Sequence, residues 1–373
     1  MSEKVKLGAI CDFVNGKAFN ANDWEESGVP IIRIQNVNDE SKSFNYCIKS
    51  IEEKYKVKNG DLLFSWSGTP GTSFGAFMWT RGDAYLNQHI FNVKIDSEVV
   101  DKRFLYHSLN ASIHLMIDQA HGGVGLQHIT KKKLEGIEIN LPPLEEQKRI
   151  AAILDKADSL RRKRQQAISL ADDFLRAVFL DMFGDPVTNL KGWPVSELKA
   201  LGQVSTGRTP PGDKPGMFDG ETPFVTPGDL ESDAPAKRSL TEAGVAEVST
   251  VRSGATLVCC IGATIGKMGK ATQRSAFNQQ INAVEWNGLV DDDYGLAALR
   301  FFKAEIARQG ASTTLPILKK SSFEKLLIPV PPIELQQVFT EQVAKAERLR
   351  FSTKTSLAEI ESLQAALQNE SFA

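Results

Sequence analysis

Residues 141–186 read LPPLEEQKRIAAILDKADSLRRKRQQAISLADDFLRAVFLDMFGDP. Two prolines open the stretch, in a place where proline is tolerated, just before or at the first turn of a helix. Beyond them residues recur in alternating steps of three and four: Ile150, Ile153, Ala157, Leu160, Arg164, Ala167, Ala171, Phe174 and Val178. That is the rhythm of a heptad seam, widened by Ile168 and Leu175. The spacing predicts one long helix, roughly 45–50 Å for thirty-odd residues at 1.5 Å each. A seam of that length must be covered.

The chain carries its own candidate cover. VPPIELQQVFTEQVAKAERL (330–349) repeats the opening at an offset of 189, and its seam runs Phe339, Gln342, Ala346, Leu349, Thr353, Ser356, Ile360, Leu363 and Leu367. With a long domain between them, two such helices can lie antiparallel, giving a pseudo-two-fold dumbbell. The alternative is that each folds back on its own globular section. Polar seam positions such as Arg164 and Thr353 offer a means of fixing register.

The repeat extends beyond the helices. VKNGDLLFSWSG (57–68) matches VRSGATLVCCIG (251–262) at an offset of 194, LNQHI (86–90) matches FNQQI (277–281) at 191, and Gly16 matches Gly207 at 191. Order is kept and the offset drifts only as small loop insertions would make it. The sequence is a tandem duplication over essentially its whole length. Each copy opens with an α+β section of Gly/Pro-punctuated β-type runs (VPIIRIQNV and HIFNVKI; TPFVTPGDL and QINAVEW). One helical stretch follows in each, 101–120 in the first copy and 294–309 in the second, then Pro-Pro and the long helix. The division expected is 1–141, 142–186, 187–330 and 331–373.

The duplication also disposes of a decoy. CIGATIGKMGK (260–270) imitates a phosphate loop, but three residues rather than four separate Gly262 from Gly266, and Met268 stands where a Mg²⁺-binding hydroxyl is needed. At the 194 offset Gly262 and Gly269 fall on Gly68 and Gly75, in a first copy with no Gly-Lys at all. Shared turn architecture explains these glycines.

Other classes are disfavoured by composition. No apolar run approaches the ~20 residues of a bilayer span, and MSEKVKLGAI lacks a signal-peptide pattern, so a cytoplasmic protein is expected. Four cysteines without a CxxC pair argue against zinc or a disulfide framework. His107, His114, His121 and His128 recur every seven residues, but Gly122-Gly123 interrupts any shared helix. No metal is expected. A net charge of −2 argues against nonspecific coating of nucleic acid, while Arg161-Arg162-Lys163-Arg164 is a local basic cluster whose plainer reading is a solvated helix face.

Taken together, these motifs resemble the DNA-sequence specificity subunit of type I restriction–modification systems. Residues 141–186 look like its central conserved region and 330–349 like its distal one. STGRTPPGD, DGETPFVTPGDL and AFNQQINAV are similar to its target recognition pattern, of which VNGKAF, GVPIIRIQNV and VKNGDLLFSWSG follow an alternative version. The resemblance implies two tandem α/β target recognition domains separated by two long antiparallel coiled-coil helices. It implies a non-catalytic reader of a bipartite double-stranded DNA site. Two methyltransferase subunits acting on adenine N6 and the restriction subunits would be its partners. S-adenosylmethionine, ATP and Mg²⁺ would sit on those partners, none on this chain, and no membrane is involved. NLPPL (140–144) only imitates an amino-methyltransferase loop, which agrees with missing catalysis. A self-sufficient methyltransferase or nucleotide-dependent enzyme, and a coiled-coil scaffold without DNA contact, are the alternatives.

Base edges and phosphates are contacted by Arg, Lys, Asn, Gln, Ser/Thr and backbone N–H groups. Candidates in the first copy are Arg33, Gln35, Asn36, Ser65, Ser67, Thr69, Asn87, Gln88, Gly123 and Gly125. In the second they are Arg208, Thr209, Thr226, Asp229, Thr264, Lys267, Asn278, Gln279, Thr313 and Thr314. Asn87 and Asn278 occupy equivalent positions and could instead stabilise a turn.

Overall fold

The computed structural model describes residues 3–69, 72–119, 127–212, 214–232, 234–310 and 316–372. It divides into two compact units, Met1–Gln165 with Thr355–Ala373, and Gln166–Lys354. Each long helix therefore contributes a part to both units.

The first unit opens with strand Glu3–Lys6, which pairs antiparallel with Glu138–Leu141 immediately before the Pro-Pro step. Its main sheet is antiparallel, in the order Cys11–Asn15, Ile90–Ile95, Leu62–Ser65, Gly75–Met78. A second sheet runs Asn45–Cys47, Val29–Ile32, Ala84–Leu86, Lys56–Val57, and its two middle strands are parallel. Alternate residues of a strand face one side, and Phe13, Leu62, Phe64, Phe91 and Val93 use this to build a core beneath helix Lys102–Ala111.

The second unit repeats the plan. Strand Val195–Glu197 pairs with Leu327–Pro329. The main sheet runs Gly202–Thr206, Ile281–Trp286, Thr256–Cys259, Met268–Lys270. The second sheet runs Ser239–Leu240, Phe218–Val225, Ser275–Phe277, Thr250–Val251, again with a parallel middle pair. The helical stretches expected at 101–120 and 294–309 are each broken after three turns. They form Lys102–Ala111 and Ile113–Gln119, and Asp292–Phe301 and Lys303–Gly310.

Leu144–Phe183 and Ile333–Phe372 are the two long helices, forty residues each. At 1.5 Å per residue each is about 60 Å long, more than the seam predicted. In the second unit Asp172 meets Arg350 at 3.2 Å while Phe179 and Phe183 pack on Phe339, so the helices run antiparallel there. In the first unit the Gln364 amide donates to Asp158 at 2.8 Å, and Leu367 and Phe372 pack against the core.

The seam positions need correction. Ile150 and Phe339 are buried and Ile360 is partly buried, but Ile153, Leu160, Phe174, Leu349 and Leu363 are 38–71% exposed. Arg164 is exposed as well. Ala151, Leu154 and Asp158 on the first helix and Val343 on the second are buried instead, while the seam positions Ala346 and Thr353 are buried as well. The reason is that these helices serve two neighbours. Ala151 and Leu154 close the first core, and Phe179, Phe183 and Val343 close the second, which turns the packed stripe away from a simple pair seam.

Candidate nucleic-acid interface

In each unit the parallel strand pair ends at a cluster of polar loops. Ile32 and Leu86 are the last residues of the first pair, and the Asn87 N–H donates to the Ile32 carbonyl at 3.1 Å, setting Arg33 and Asn87 side by side. Lys17 forms a bridge to Asn87, its N–H donating to the Leu86 carbonyl at 2.8 Å. In the second unit Val225 and Phe277 end the pair, Asn278 N–H donates to Val225 at 3.1 Å, and Arg208 N–H donates to Phe277 at 2.9 Å. Thr226 thus stands where Arg33 stands, and Arg208 where Lys17 stands. Openings at the carboxyl ends of parallel strands are common ligand sites.

Gly16 and Gly207 explain how these loops come so close. A Cβ on Gly16 would lie 2.1 Å from the Asn87 carbonyl oxygen, and one on Gly207 2.2 Å from that of Asn278. Only glycine fits there.

One turn lock occurs in both units with different chemistry. Asn36 is buried, accepts the Arg33 N–H at 3.1 Å and donates to the Lys42 and Ser43 carbonyls at 3.2 and 3.1 Å. Asp229 accepts the Thr226 N–H at 2.8 Å, its hydroxyl at 2.6 Å and the Lys237 N–H at 3.2 Å. Partial burial would raise the Asp229 carboxyl, but these hydrogen bonds outweigh it and hold it below the usual carboxylate value. Asn36 and Asp229 therefore shape the loops, and Asn36 is corrected from a reader to a lock. Gln35 is exposed on the same turn.

The adjacent Gly turns are fastened to the Asn-Gln turns. Trp66 Nε1 donates to the Gln88 carbonyl at 3.1 Å in the first unit, and Gln280 Nε2 donates to the Ile261 carbonyl at 3.3 Å in the second. Gly68 and Gly262 adopt φ of +154° and +94°, a region that favours glycine. Ser65 is fully buried, donating to the Ser67 carbonyl at 3.0 Å, and Ser67 is buried in a short strand, so both are corrected to structural residues. Thr69 is exposed. The equivalence of Gly269 with Gly75 also fails: Ser65 pairs with Gly75, whereas Cys259 N–H donates to the Lys267 carbonyl and Gly269 pairs with Leu257. The second turn is two residues shorter, which puts half-exposed Lys267 at the place of Gly75.

Arg208, Thr209 and Gln279 are exposed together, with the Thr209 hydroxyl 2.7 Å from Gln279 Oε1. Asn278 is buried and holds its own turn through Gln280, at 3.1 Å to the backbone and 3.0 Å to the side chain. That is the turn-stabilising alternative. Thr264 lies 3.4 Å from the Cys259 sulfur. Gly123, Gly125, Thr313 and Thr314 lie outside the described residues. Sequence reasoning missed Lys17, although the Gly16–Gly207 match places it on Arg208. It also missed Trp24, 42% exposed, whose ring centroid lies 5.6 Å from the Arg33 guanidinium carbon. No group of three metal-ligating side chains occurs among the described residues.

The family model described as the type I restriction modification DNA specificity domain matches this chain twice, over residues 2–170 and 190–362. The chain belongs to that family. The two matches each take in one α+β section and most of one long helix, so the specificity-domain repeat is the duplication read from the sequence. Among relatives, the EcoBI specificity subunit of Escherichia coli is 30% identical over 181 residues, 47% of this chain and 37% of that protein. The MjaVIII specificity subunit of Methanocaldococcus jannaschii is 26% identical over 198 residues, 52% of this chain and 45% of that protein. Both alignments span less than half of those relatives. A putative MjaX specificity subunit from the same organism aligns over 98% of this chain and 91% of its own length at 21% identity. Among solved structures, a type I restriction–modification S subunit from M. genitalium superposes with a TM-score of 0.69 at 15% identity, covering 100% of this chain and 96% of that one. A chain from a structure of type I R-M complex assembly gives a TM-score of 0.55 at 16% identity, covering 99% and 97%. At these identities the likeness is one of fold.

Proposed function

We propose that the chain is the non-catalytic, sequence-reading subunit of a type I restriction–modification complex. Residues 1–141 and 187–330 act as two recognition domains on one bipartite, asymmetric site in duplex DNA. Segments 142–186 and 331–373 supply the long helices on which two adenine-N6 methyltransferase subunits dock, with restriction subunits joining them. S-adenosylmethionine, ATP and Mg²⁺ belong to those partners, and the complex works in the cytoplasm.

The observation that carries this reading is the twofold occurrence of one loop frame in which an Asn-Gln pair recurs while the neighbouring positions differ. Lys17, Arg33, Asn87 and Gln88 in the first unit correspond to Arg208, Thr226, Asn278 and Gln279 in the second. Equivalent frames reach equivalent parts of DNA, and the position where the units differ in kind, Arg33 against Thr226, allows the two halves to select different bases. Leu160, Leu170, Phe174, Leu349, Phe351 and Leu363, exposed on the long helices, support docking of partner proteins there. No helix among the described residues is long and apolar enough to cross a membrane.

Mapping methylated adenines in cells that express the chain with its partners tests the proposal. A split, asymmetric motif is expected, with an unspecified spacer of about half a turn to one turn of DNA. Exchanging residues 1–141 for those of a relative should change one half of the motif and keep the other. A continuous motif, or a chimera that alters both halves, overturns it.

A further inference from the structure

We propose that Arg33 reads a guanine in the half-site of the first recognition domain, its guanidinium donating to O6 and N7 in the major groove. The inference rests on the bipartite reading above and assigns one of its bases.

Arg33 is the first residue after the parallel strand Val29–Ile32 and is held by its backbone. The buried Asn36 side chain accepts its N–H and ties the turn to Lys42 and Ser43. The guanidinium of Arg81 fixes the same turn from the other side, donating to the Asn36 and Glu40 carbonyls and stacking on Phe44 and Trp79. The platform under Arg33 is thus rigid.

Its side chain is treated differently from those of Arg103, Arg252 and Arg308, and like Arg176 and Arg238 it lies over an aromatic ring. Arg103 is committed to Asp155, Arg252 to Asp292 and Arg308 to Glu305. Arg33 has no carboxylate or carbonyl acceptor among the described residues, and its buried Nε makes no hydrogen bond. What it has is a flat support, the Trp24 ring at 5.6 Å, against which a guanidinium lies without using its donors. A planar fork with free donors, half-buried on a fixed turn, costs little ordering when it meets a planar pair of acceptors. The guanine edge offers that pair, and Arg or Lys to O6/N7 is the commonest specific base contact. A phosphate also accepts a fork, so the test must separate base from backbone.

The second unit shows the contrast. Thr226 occupies the Arg33 position and its hydroxyl is engaged by Asp229 at 2.6 Å. The same frame that frees a donor in one unit consumes it in the other.

The test uses the assembled modification complex and duplexes bearing the motif mapped in cells, with the half read by residues 1–141 identified by the chimera. That half should contain a G·C pair at which wild-type complex prefers G by roughly 5- to 100-fold. 7-Deazaguanine there, which lacks the N7 acceptor, should weaken wild type but leave Arg33→Ala unchanged. Arg33→Lys, which keeps the charge and can still donate to O6 and N7 but without the planar fork, should reduce the preference while retaining DNA binding. The inference is overturned if that half has no G·C pair, if 7-deazaguanine at each of its guanines leaves wild-type binding intact, or if Arg33→Ala weakens all duplexes equally. A missing or unsplit wild-type motif would instead count against the bipartite reading itself.

Discussion

Gln147 accepts the backbone N–H of Asp101 at 2.8 Å, while its amide donates to the Pro142 carbonyl at 2.8 Å and the Val99 carbonyl at 3.1 Å. Gln336 does the same with Asp291 at 2.8 Å, Pro331 at 2.8 Å and Leu289 at 3.1 Å. Both glutamines are buried, and Asp101 and Asp291 each cap the helix that follows them. The glutamine of LPPLEEQ and VPPIELQ is therefore a latch between the start of a long helix and its α+β section.

Gln147→Leu keeps most of the volume and orphans three backbone groups. We expect a loss of about 2–4 kcal/mol in denaturant unfolding, with a similar loss for Gln336→Leu. A change under about 0.5 kcal/mol, the range of an ordinary surface substitution, would show that the latch carries no stability.

Gly16→Ala and Gly207→Ala should each damage one half of DNA recognition, because the added methyl would meet a carbonyl oxygen at 2.1 or 2.2 Å. Adenine methylation profiles provide the readout: Gly16→Ala should relax or lose the half assigned to residues 1–141, and Gly207→Ala the other. Unchanged methylation at all sites in either variant refutes the loop-frame argument.

Acid should weaken the first unit through His107. Burial lowers its pKa, against the opposing hydrogen bond to Asp155 at 2.7 Å. The unfolded imidazole, near 6.5, then binds protons that the folded one refuses, so stability falls as pH drops through that value toward the folded pKa. Asp155 is raised by burial but lowered more by its bonds to Arg103 and His107, so its contribution persists until pH falls below the ordinary aspartate value, about 3.9. The melting temperature of wild type should decline between about pH 7 and 5.5, more steeply than that of His107→Gln. Parallel curves would exclude the assignment.

Leu160→Lys and Leu349→Lys, at exposed positions, should change folding stability by no more than about 0.5 kcal/mol. Their expected effect is on assembly, seen as reduced co-purification with the modification subunits. Full assembly in both variants would mean that docking lies elsewhere on the helices.

The duplication, some of the strands and both long helices were legible because each leaves a periodic trace, whereas the run VPIIRIQNV read as β turns into a short helix at Ile34–Asn38. Leu62–Ser65 and Ile90–Ile95 lie within the runs that predict them. The helix stripe was misplaced because periodicity reports one neighbour well and two neighbours poorly: Ala151 and Leu154 answer to a globular core, not to a helix partner. Matching glycines misled at Gly269, where a two-residue deletion leaves a glycine in view but moves the strand register. Among the candidate readers, composition could not separate an exposed side chain from one buried in the fold. Asn36 and Gln35 are adjacent in sequence, yet one is buried in a turn lock and the other faces solvent.

Phe372 packs on Phe104, ring centroids 5.4 Å apart, and Leu367 lies against the same core. Residues made early in translation thus wait for residues made after the entire second recognition section. On the ribosome the first section must spend most of elongation with an unclosed flank, while the second can close soon after Val343 emerges. Folding should run against the order of synthesis, and nascent chains stalled at Val330 should show a protease-sensitive first section that becomes protected once Phe372 has cleared the exit tunnel.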